Sequence, residues 1–328
     1  MIQEAKQEIF SLATQFALCD VEDTIVVSGA PRSGTTWLAE LLRELPSYKM
    51  LNEPLNISSS ALTKDIEGVQ WRTYLEKGTS FPELHTALYR ALTGDVDALW
   101  MWRFHSDRPS LMLYEHLSHQ KLVVKIIRAS RMLGWLSDSF PVRAIVHTFR
   151  HPCAVVASQM NYKAVWSKAS PPSAREMRDE LGAGLPDKIW KEIQPATQYM
   201  RTAAGTLALV WAIDALCVLQ YPVHRPFVVT TYEDLLLDTK REVKRILDLI
   251  NELVPQNMLE RFEVPSHSAS QSLETGNVSK QLVKWKDILS TDQIDEVLTI
   301  TQQVGIEFYT EQPMPEQPFL REQVKPAQ

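Results

Sequence analysis

Cysteine is scarce: three residues in 328, Cys19, Cys153 and Cys217, an odd number with no paired spacing. That scarcity excludes a disulfide scaffold and a cysteine zinc site, and it suits a reducing compartment. Basic charge is not in excess either. The chain has 34 Lys and Arg against 40 Asp and Glu, a net charge of -6, which argues against a nucleic-acid partner but leaves room for a local basic pocket. The start, "MIQEAKQEIFSLATQF", mixes acids and bases along an amphipathic stretch, so no signal peptide is expected. The most apolar long segment, Ala203 to Leu219, carries Thr206 and Asp214 and reads as a buried helix rather than a membrane span. With 45% hydrophobic and 23% charged residues, one globular domain over residues 1–328 in the cytoplasm is the simplest expectation. Monomer and homodimer both stay open.

Four short apolar runs read as buried strands: "TIVVS" from Thr24, "KLVVKII" from Lys121, "RAIVHTF" from Arg143 and "FVVTT" from Phe227. Helical spacing predicts helices over residues ~3–19, ~152–162, ~196–220, ~239–253 and ~291–304, and one after Gly34 carrying Trp37, Leu38, Leu41, Leu42 and Leu45 on one face. Asp238 and Ser290 stand at N-cap positions, and Ser290 with Gln293 has capping-box spacing. Apolar strands alternating with helices predict a three-layer, P-loop-like α/β fold around a central, mostly parallel sheet. Ligands of such sheets bind beyond the carboxyl ends of the strands. Residues 52–115 and 163–195 read as insertions covering that edge on the acceptor side, and 310–328 as a Pro-rich tail.

The most informative absence is a single lysine. "VVSGAPRSGTTWLAELLREL" has the strand, the Gly-rich turn and the helix of a nucleotide-hydrolase loop, with Gly29 and Gly34 at the right spacing. Thr35 stands where the lysine belongs, and a basic residue, Arg32, lies inside the loop instead. Backbone N–H groups from Ser33 to Trp37 can still cradle a phosphate, with Thr35 and Thr36 adding hydroxyl donors. The bland alternative is a strand-to-helix turn without a ligand. A hydrolase also needs a magnesium-holding aspartate at a neighbouring strand end. "AIVHTF" ends in Arg150, and "FVVTTYED" reaches Asp234 only after an overshoot, so no metal is expected.

A second anion site is written in "FRHPCAVVASQM". Arg150 follows a strand, Pro152 opens a helix, and Ser158 lies about two turns along it. Alone, such an arginine is more often a salt-bridge partner. Paired with the first loop, it implies a donor phosphorylated at both ends.

The pair "PRSGTTW" and, about 115 residues later, "RHPCAVVAS" resembles the sulfotransferases that use 3′-phosphoadenosine 5′-phosphosulfate. "TTYEDLL", with Tyr232 near the adenine, is similar to their segment after a core strand. "NVSKQLVKWKDILS" resembles the soluble bacterial branch, where Ser279 and Lys280 would close over the 3′-phosphate. The resemblance implies sulfuryl transfer to a hydroxyl or amine of a small acceptor, a specialised metabolite, lipid or sugar, leaving adenosine 3′,5′-bisphosphate as product. Cofactor-binding residues would be Arg32, Ser33, Gly34, Thr35, Thr36, Trp37, Arg150, Ser158, Tyr232, Ser279 and Lys280. Cytosolic animal and plant relatives use a histidine after a strand lysine as base. Lys125 matches that lysine, but Ile127 stands near the histidine position. Other branches use a glutamate after the loop helix, and Glu53 in "NEP" supplies one, with His105 as runner-up. The bland alternatives are that Glu53 pairs with a loop arginine and that Lys125 is a strand-edge lysine. Trp100, Trp102, Phe104, His105, Tyr162 and Trp166 are candidates to line the acceptor pocket or to pack the insertion. The acidic balance suits a polar or cationic acceptor. A P-loop kinase or NTPase, and an inactive nucleotide-binding interaction protein, are the competing readings.

Overall fold

The computed structural model describes residues 17–56, 62–63, 65–70, 72–96, 109–161, 184–220, 226–256, 258 and 278–316. Most of the expected N-terminal helix, Trp100, Trp102, Phe104, His105, Tyr162, Trp166 and the end of the Pro-rich tail lie outside the described residues.

Five strands form one sheet: β1 (Thr24–Gly29), β2 (Tyr48–Asn52), β3 (Lys121–Lys125), β4 (Ala144–Phe149) and β5 (Phe227–Thr231). Their order is β2-β3-β1-β4-β5, and every pairing is parallel. Central β1 is buried along its whole length, which is why its sequence is a continuous apolar run rather than an alternating one.

Successive side chains leave opposite faces and build two cores. On one face Val26, Val124 and Ile145 join helices α2 (Pro82–Thr93), α5 (Pro152–Asn161) and α7 (Ala203–Gln220). On the other, Ile25, Val27, Val123 and Val146 meet α1 (Thr35–Arg43) and α9 (Thr239–Leu249). Further helices are α3 (Pro109–Ser118), α4 (Leu133–Ser139), α6 (Asp187–Ile193), α8 (Tyr232–Leu237), α10 (Val278–Val283) and α11 (Thr291–Gln303). Helix α7 is long and apolar enough to cross a membrane, yet most of it is buried in this core, against α5 and α11 among others. An all-round apolar helix of this kind is what a core element requires.

The predicted caps are present. Asp238 accepts the Arg241 N–H at 3.1 Å at the start of α9, and Ser290 with Gln293 forms a reciprocal capping box on α11.

Two differences from the sequence reading have physical causes. Strand β2, "YKMLN", was not expected, because a lysine interrupts its apolar run. Lys49 is nonetheless 2% exposed, its ammonium satisfied by the carbonyls of Ala17 and, at 2.9 Å, His116. The stretch after β2, read from sequence as an insertion over the sheet edge, holds α2, whose Leu84, Leu88, Ala91 and Leu92 are buried in the first core.

Candidate active site

All five strands point their carboxyl ends to one edge, and each brings a candidate site residue or loop there. Taken along the sheet, β2 is followed by Glu53, β3 ends in Lys125, and β1 runs into the Ala30–Gly34 loop. Arg150 follows β4, and Tyr232 follows β5. Residues about 200 positions apart in sequence therefore form one row, as expected at the switch point of a parallel sheet.

The β1–α1 loop is held by its own carbonyls. Ser33 Oγ donates to Ala30 O at 2.6 Å, Gln159 Nε2 to Pro31 O at 3.0 Å, and Arg150 to Arg32 O at 2.7 Å. With three successive carbonyls tied back, the first N–H groups of α1 are what the loop offers at its open end. Gly34 occupies the N-cap at φ 85° and has no side chain to cap with. A Cβ there would stand 2.5 Å from the Tyr232 ring, and one on Gly29 would stand 2.6 Å from Thr148 O. Both glycines are required by close approach. Thr35 is buried at the mouth, while Trp37 is buried on the helix and meets Tyr232 edge-on at 6.4 Å.

Beside this loop, Arg150 lies 4.2 Å over the Tyr232 ring, and Arg32 Nε donates to Ser158 Oγ at 3.0 Å. The expected pairing was Arg150 with Ser158 on one anion and Arg32 on the other. Instead Arg32, which adopts φ 76°, reaches across to Ser158 on α5, and Arg150 braces the main chain of Arg32. Two guanidiniums and a hydroxyl are thus brought together between β1 and β4. Gln281 on α10 donates to the Tyr232 hydroxyl at 2.9 Å. Ser279 and Lys280, on the same short helix, are exposed.

On the far side of the loop, Glu53 is 7% exposed and adopts φ 52°, a left-handed conformation that costs a residue with a Cβ about 1–2 kcal/mol. Its N–H continues the ladder to Lys125 O at 2.9 Å. Oε1 accepts the Ile127 N–H at 3.2 Å and stands 3.1 Å from Lys125 Nζ, which also donates to Asn52 at 2.9 Å. Oε2 is buried without a hydrogen-bond partner, with an Arg128 nitrogen 3.9 Å away. One carboxylate oxygen is anchored, and the other is left to accept. Lys125 pairs with Glu53 rather than pointing to solvent from the strand edge.

Asp234, the residue a magnesium reading would use, instead accepts the Thr231 hydroxyl at 2.6 Å and is bound into the α8 cap. Among the described residues no group of three or more His, Cys, Asp or Glu could hold a metal ion.

Three residues beneath the site were not singled out from sequence. Glu233 is 2% exposed and accepts the His151 N–H at 2.9 Å and the Tyr309 hydroxyl at 3.0 Å. His151 Nε2 meets Thr310 O at 2.8 Å, and its Nδ1 accepts the Cys153 N–H at 3.2 Å. A carbonyl on one side and an N–H donor on the other fix the neutral tautomer with the proton on Nε2. The ring stacks on Trp285 at 4.6 Å. The network clamps the start of α5, and so Arg150, to α8 and to the segment after α11. The only sequence signal was position: the His beside Arg150, and the Glu beside Tyr232.

Burial pushes Glu233 up to about 7 and His151 and His147 down to about 4 and 3. The two histidines contribute stability above their unfolded value near 6.5, lost as pH falls toward the folded values. Glu233 acts in the opposite sense: its contribution is complete below 4.5 and is lost as pH rises to about 7. Glu233→Gln mimics the protonated acid. Urea melts of the variant and wild type should therefore show the variant gaining relative stability from pH 5 to pH 8; a pH-independent difference would contradict the assignment.

The sequence from residue 24 to 256 matches the model of the sulfotransferase family. The chain belongs to that family, and it is a transferase. No curated protein sequence matches it significantly. Similar solved structures include the sulfotransferase domain from the curacin biosynthetic pathway, 20% identical with a TM-score of 0.44, covering 86% of this chain and 96% of that one. The sulfotransferase domain of the Synechococcus PCC 7002 olefin synthase is 15% identical with a TM-score of 0.45, covering 84% and 92%. A sulfotransferase from Mycobacterium tuberculosis H37Rv is 17% identical with a TM-score of 0.36, covering 85% and 80%.

Proposed function

We propose that this sulfotransferase takes its sulfuryl group from 3′-phosphoadenosine 5′-phosphosulfate and transfers it to a hydroxyl or amine of a small acceptor. The observation that carries this reading is the pair of anion-binding arrangements on either side of one loop. The open α1 N-terminus with Thr35 and Thr36 fits a 5′-phosphate. The Arg150, Ser158 and Arg32 cluster fits a second, 3′-phosphate, with Tyr232 beside the adenine. Trp37 supports that side, and Ser279 and Lys280 lie on the helix next to Tyr232. A magnesium-bound triphosphate is less well served, since Thr35 replaces the loop lysine and Asp234 is spent on a cap.

The donor supplies an activated sulfuryl group and leaves as adenosine 3′,5′-bisphosphate. The bond from sulfur to the phosphate-side oxygen breaks, a bond from sulfur to the acceptor atom forms, and the acceptor's proton passes to Glu53 Oε2. Lys125, held 3.1 Å from Glu53 Oε1, would steady the charge that grows on the departing oxygen. The loop N–H groups and Thr35 serve the same end, so positioning and electrostatics supply the catalysis. Incubating the protein with sulfur-labelled donor and pooled small metabolites in chelator tests the activity: label should appear in an organic acceptor. Label released only as inorganic sulfate would contradict transfer.

A further inference from the structure

Arg150 stands where β4 gives way to α5, and it is fixed on both sides. Before it, Phe149 is paired with Thr231 at the end of β5. After it, where the ladder would stop, the Glu233 carboxylate takes over: Oε1 accepts the His151 N–H at 2.9 Å. Arg150 is thus tied on either side to the stretch 231–233. Its guanidinium comes to lie 4.2 Å over the ring of Tyr232, the residue between. His151 in turn caps α5, since its Nδ1 accepts the N–H of Cys153 at 3.2 Å.

The other half of this clamp comes from far along the chain. Glu233 Oε2 accepts the Tyr309 hydroxyl at 3.0 Å, and His151 Nε2 donates to Thr310 O at 2.8 Å. Trp285 stacks on the His151 ring at 4.6 Å, and Tyr309 packs against it at 5.0 Å. His151, Glu233, Trp285 and Tyr309 are each no more than 2% exposed. Trp285, Tyr309 and Thr310 all lie beyond residue 256, where the family match ends. A carboxylate suits the central post, because it accepts at both oxygens, whereas an amide accepts at only one.

Helix α5 also carries Ser158, to which Arg32 Nε donates at 3.0 Å. The seating of its first turn therefore governs where Arg150 and Ser158 stand together. The open α1 N-terminus owes less to this clamp: Ser33 Oγ holds the loop from within, at 2.6 Å from Ala30 O. Gln159 of α5 does reach Pro31 O at 3.0 Å, so the two sides are not wholly independent.

We propose that Glu233 and Tyr309 are positioning residues for the 3′-phosphate. Acting through Arg150, they set the preference of the site for a nucleotide phosphorylated at both ends over a plain 5′-monophosphate. The inference rests on the donor reading above. A charge-assisted contact from a guanidinium depends on direction as well as distance, and such a side chain is only as well placed as the residues that hold it. Loosening the clamp should cost the 3′-phosphate contact first, with a smaller loss common to both nucleotides through Gln159.

The test is a ratio of two affinities, measured by calorimetry on the full chain: adenosine 3′,5′-bisphosphate against adenosine 5′-monophosphate. Tyr309→Phe keeps the buried ring and removes only the hydroxyl; retained monophosphate binding certifies that it folds. It should lower the wild-type preference for the bisphosphate by about tenfold, within the worth of one hydrogen bond to a charged group. Glu233→Leu, which can accept neither bond, should lower it at least as far. Glu233→Gln should recover most of it, because the Tyr309 hydroxyl can turn to accept from the amide. In an Arg150→Gln background, Tyr309→Phe should leave the ratio where it stands, since the residue it acts through is gone. An unchanged ratio in Tyr309→Phe, or the same drop with and without Arg150, overturns the proposal. A wild type with no preference for the bisphosphate would strike the donor reading instead, and this inference with it.

Discussion

Glu53→Gln is expected to lower sulfuryl transfer by about 10²–10⁴-fold, the usual contribution of a positioned general base, while affinity for adenosine 3′,5′-bisphosphate stays at the wild-type value. The amide keeps the shape of the carboxylate and can still accept the Ile127 N–H through its oxygen. What it loses is a second carboxylate oxygen, buried and without a hydrogen-bond partner, which in the proposed reaction takes the acceptor's proton. Because Glu53 lies across the loop from Arg150, along the order β2-β3-β1-β4, donor binding should not sense the change. Steady-state transfer and calorimetry on the same preparation separate the two effects. Full activity in this variant would remove Glu53 from the mechanism and bring His105 forward.

The second large effect is expected at Arg150. Replacing it by Gln should weaken the 3′,5′-bisphosphate by about a hundredfold, since one or two charge-assisted hydrogen bonds at about 1.5–3 kcal/mol each are lost. Adenosine 5′-monophosphate, lacking the 3′-phosphate, should be affected much less. Arg150 also donates to Arg32 O at 2.7 Å and covers the Tyr232 ring at 4.2 Å, so a smaller loss common to both nucleotides should accompany the loss specific to the bisphosphate. Lysine at this position keeps the charge but not the planar fork, and should restore only part of the affinity. Equal losses for the two nucleotides would mean that Arg150 serves only to brace the loop.

The legible parts of the fold were those where one local rule acts alone. β1, β3, β4 and β5 are apolar because both faces of the sheet are covered, and Ser290 and Asp238 cap helices by hydrogen bonds to residues three positions on. β2 was hidden because Lys49 breaks the pattern, and its burial depends on carbonyls of Ala17 and His116, which only the tertiary structure brings near. At the site, Glu53 and Lys125 were picked out through the resemblance to known sulfotransferases, but their 3.1 Å pairing follows from the register of β2 on β3. Arg32 was assigned to the loop anion from its place in the motif, whereas its side chain crosses to Ser158. Sequence adjacency carries no information about rotamer direction. The clamp of His151, Glu233 and Tyr309 joins three distant segments, and no spacing rule connects them.

In the proposed reaction this edge of the sheet binds a nucleotide through two separate phosphates, with no metal called on. Calorimetric titration of the wild-type protein with adenosine 3′,5′-bisphosphate in chelator, set against ATP with magnesium, tests it most directly. The bisphosphate should bind saturably, at least about tenfold tighter than ATP–magnesium, as expected for one extra charge-assisted contact. Tighter binding of ATP–magnesium, or bisphosphate binding that requires the metal, would contradict it.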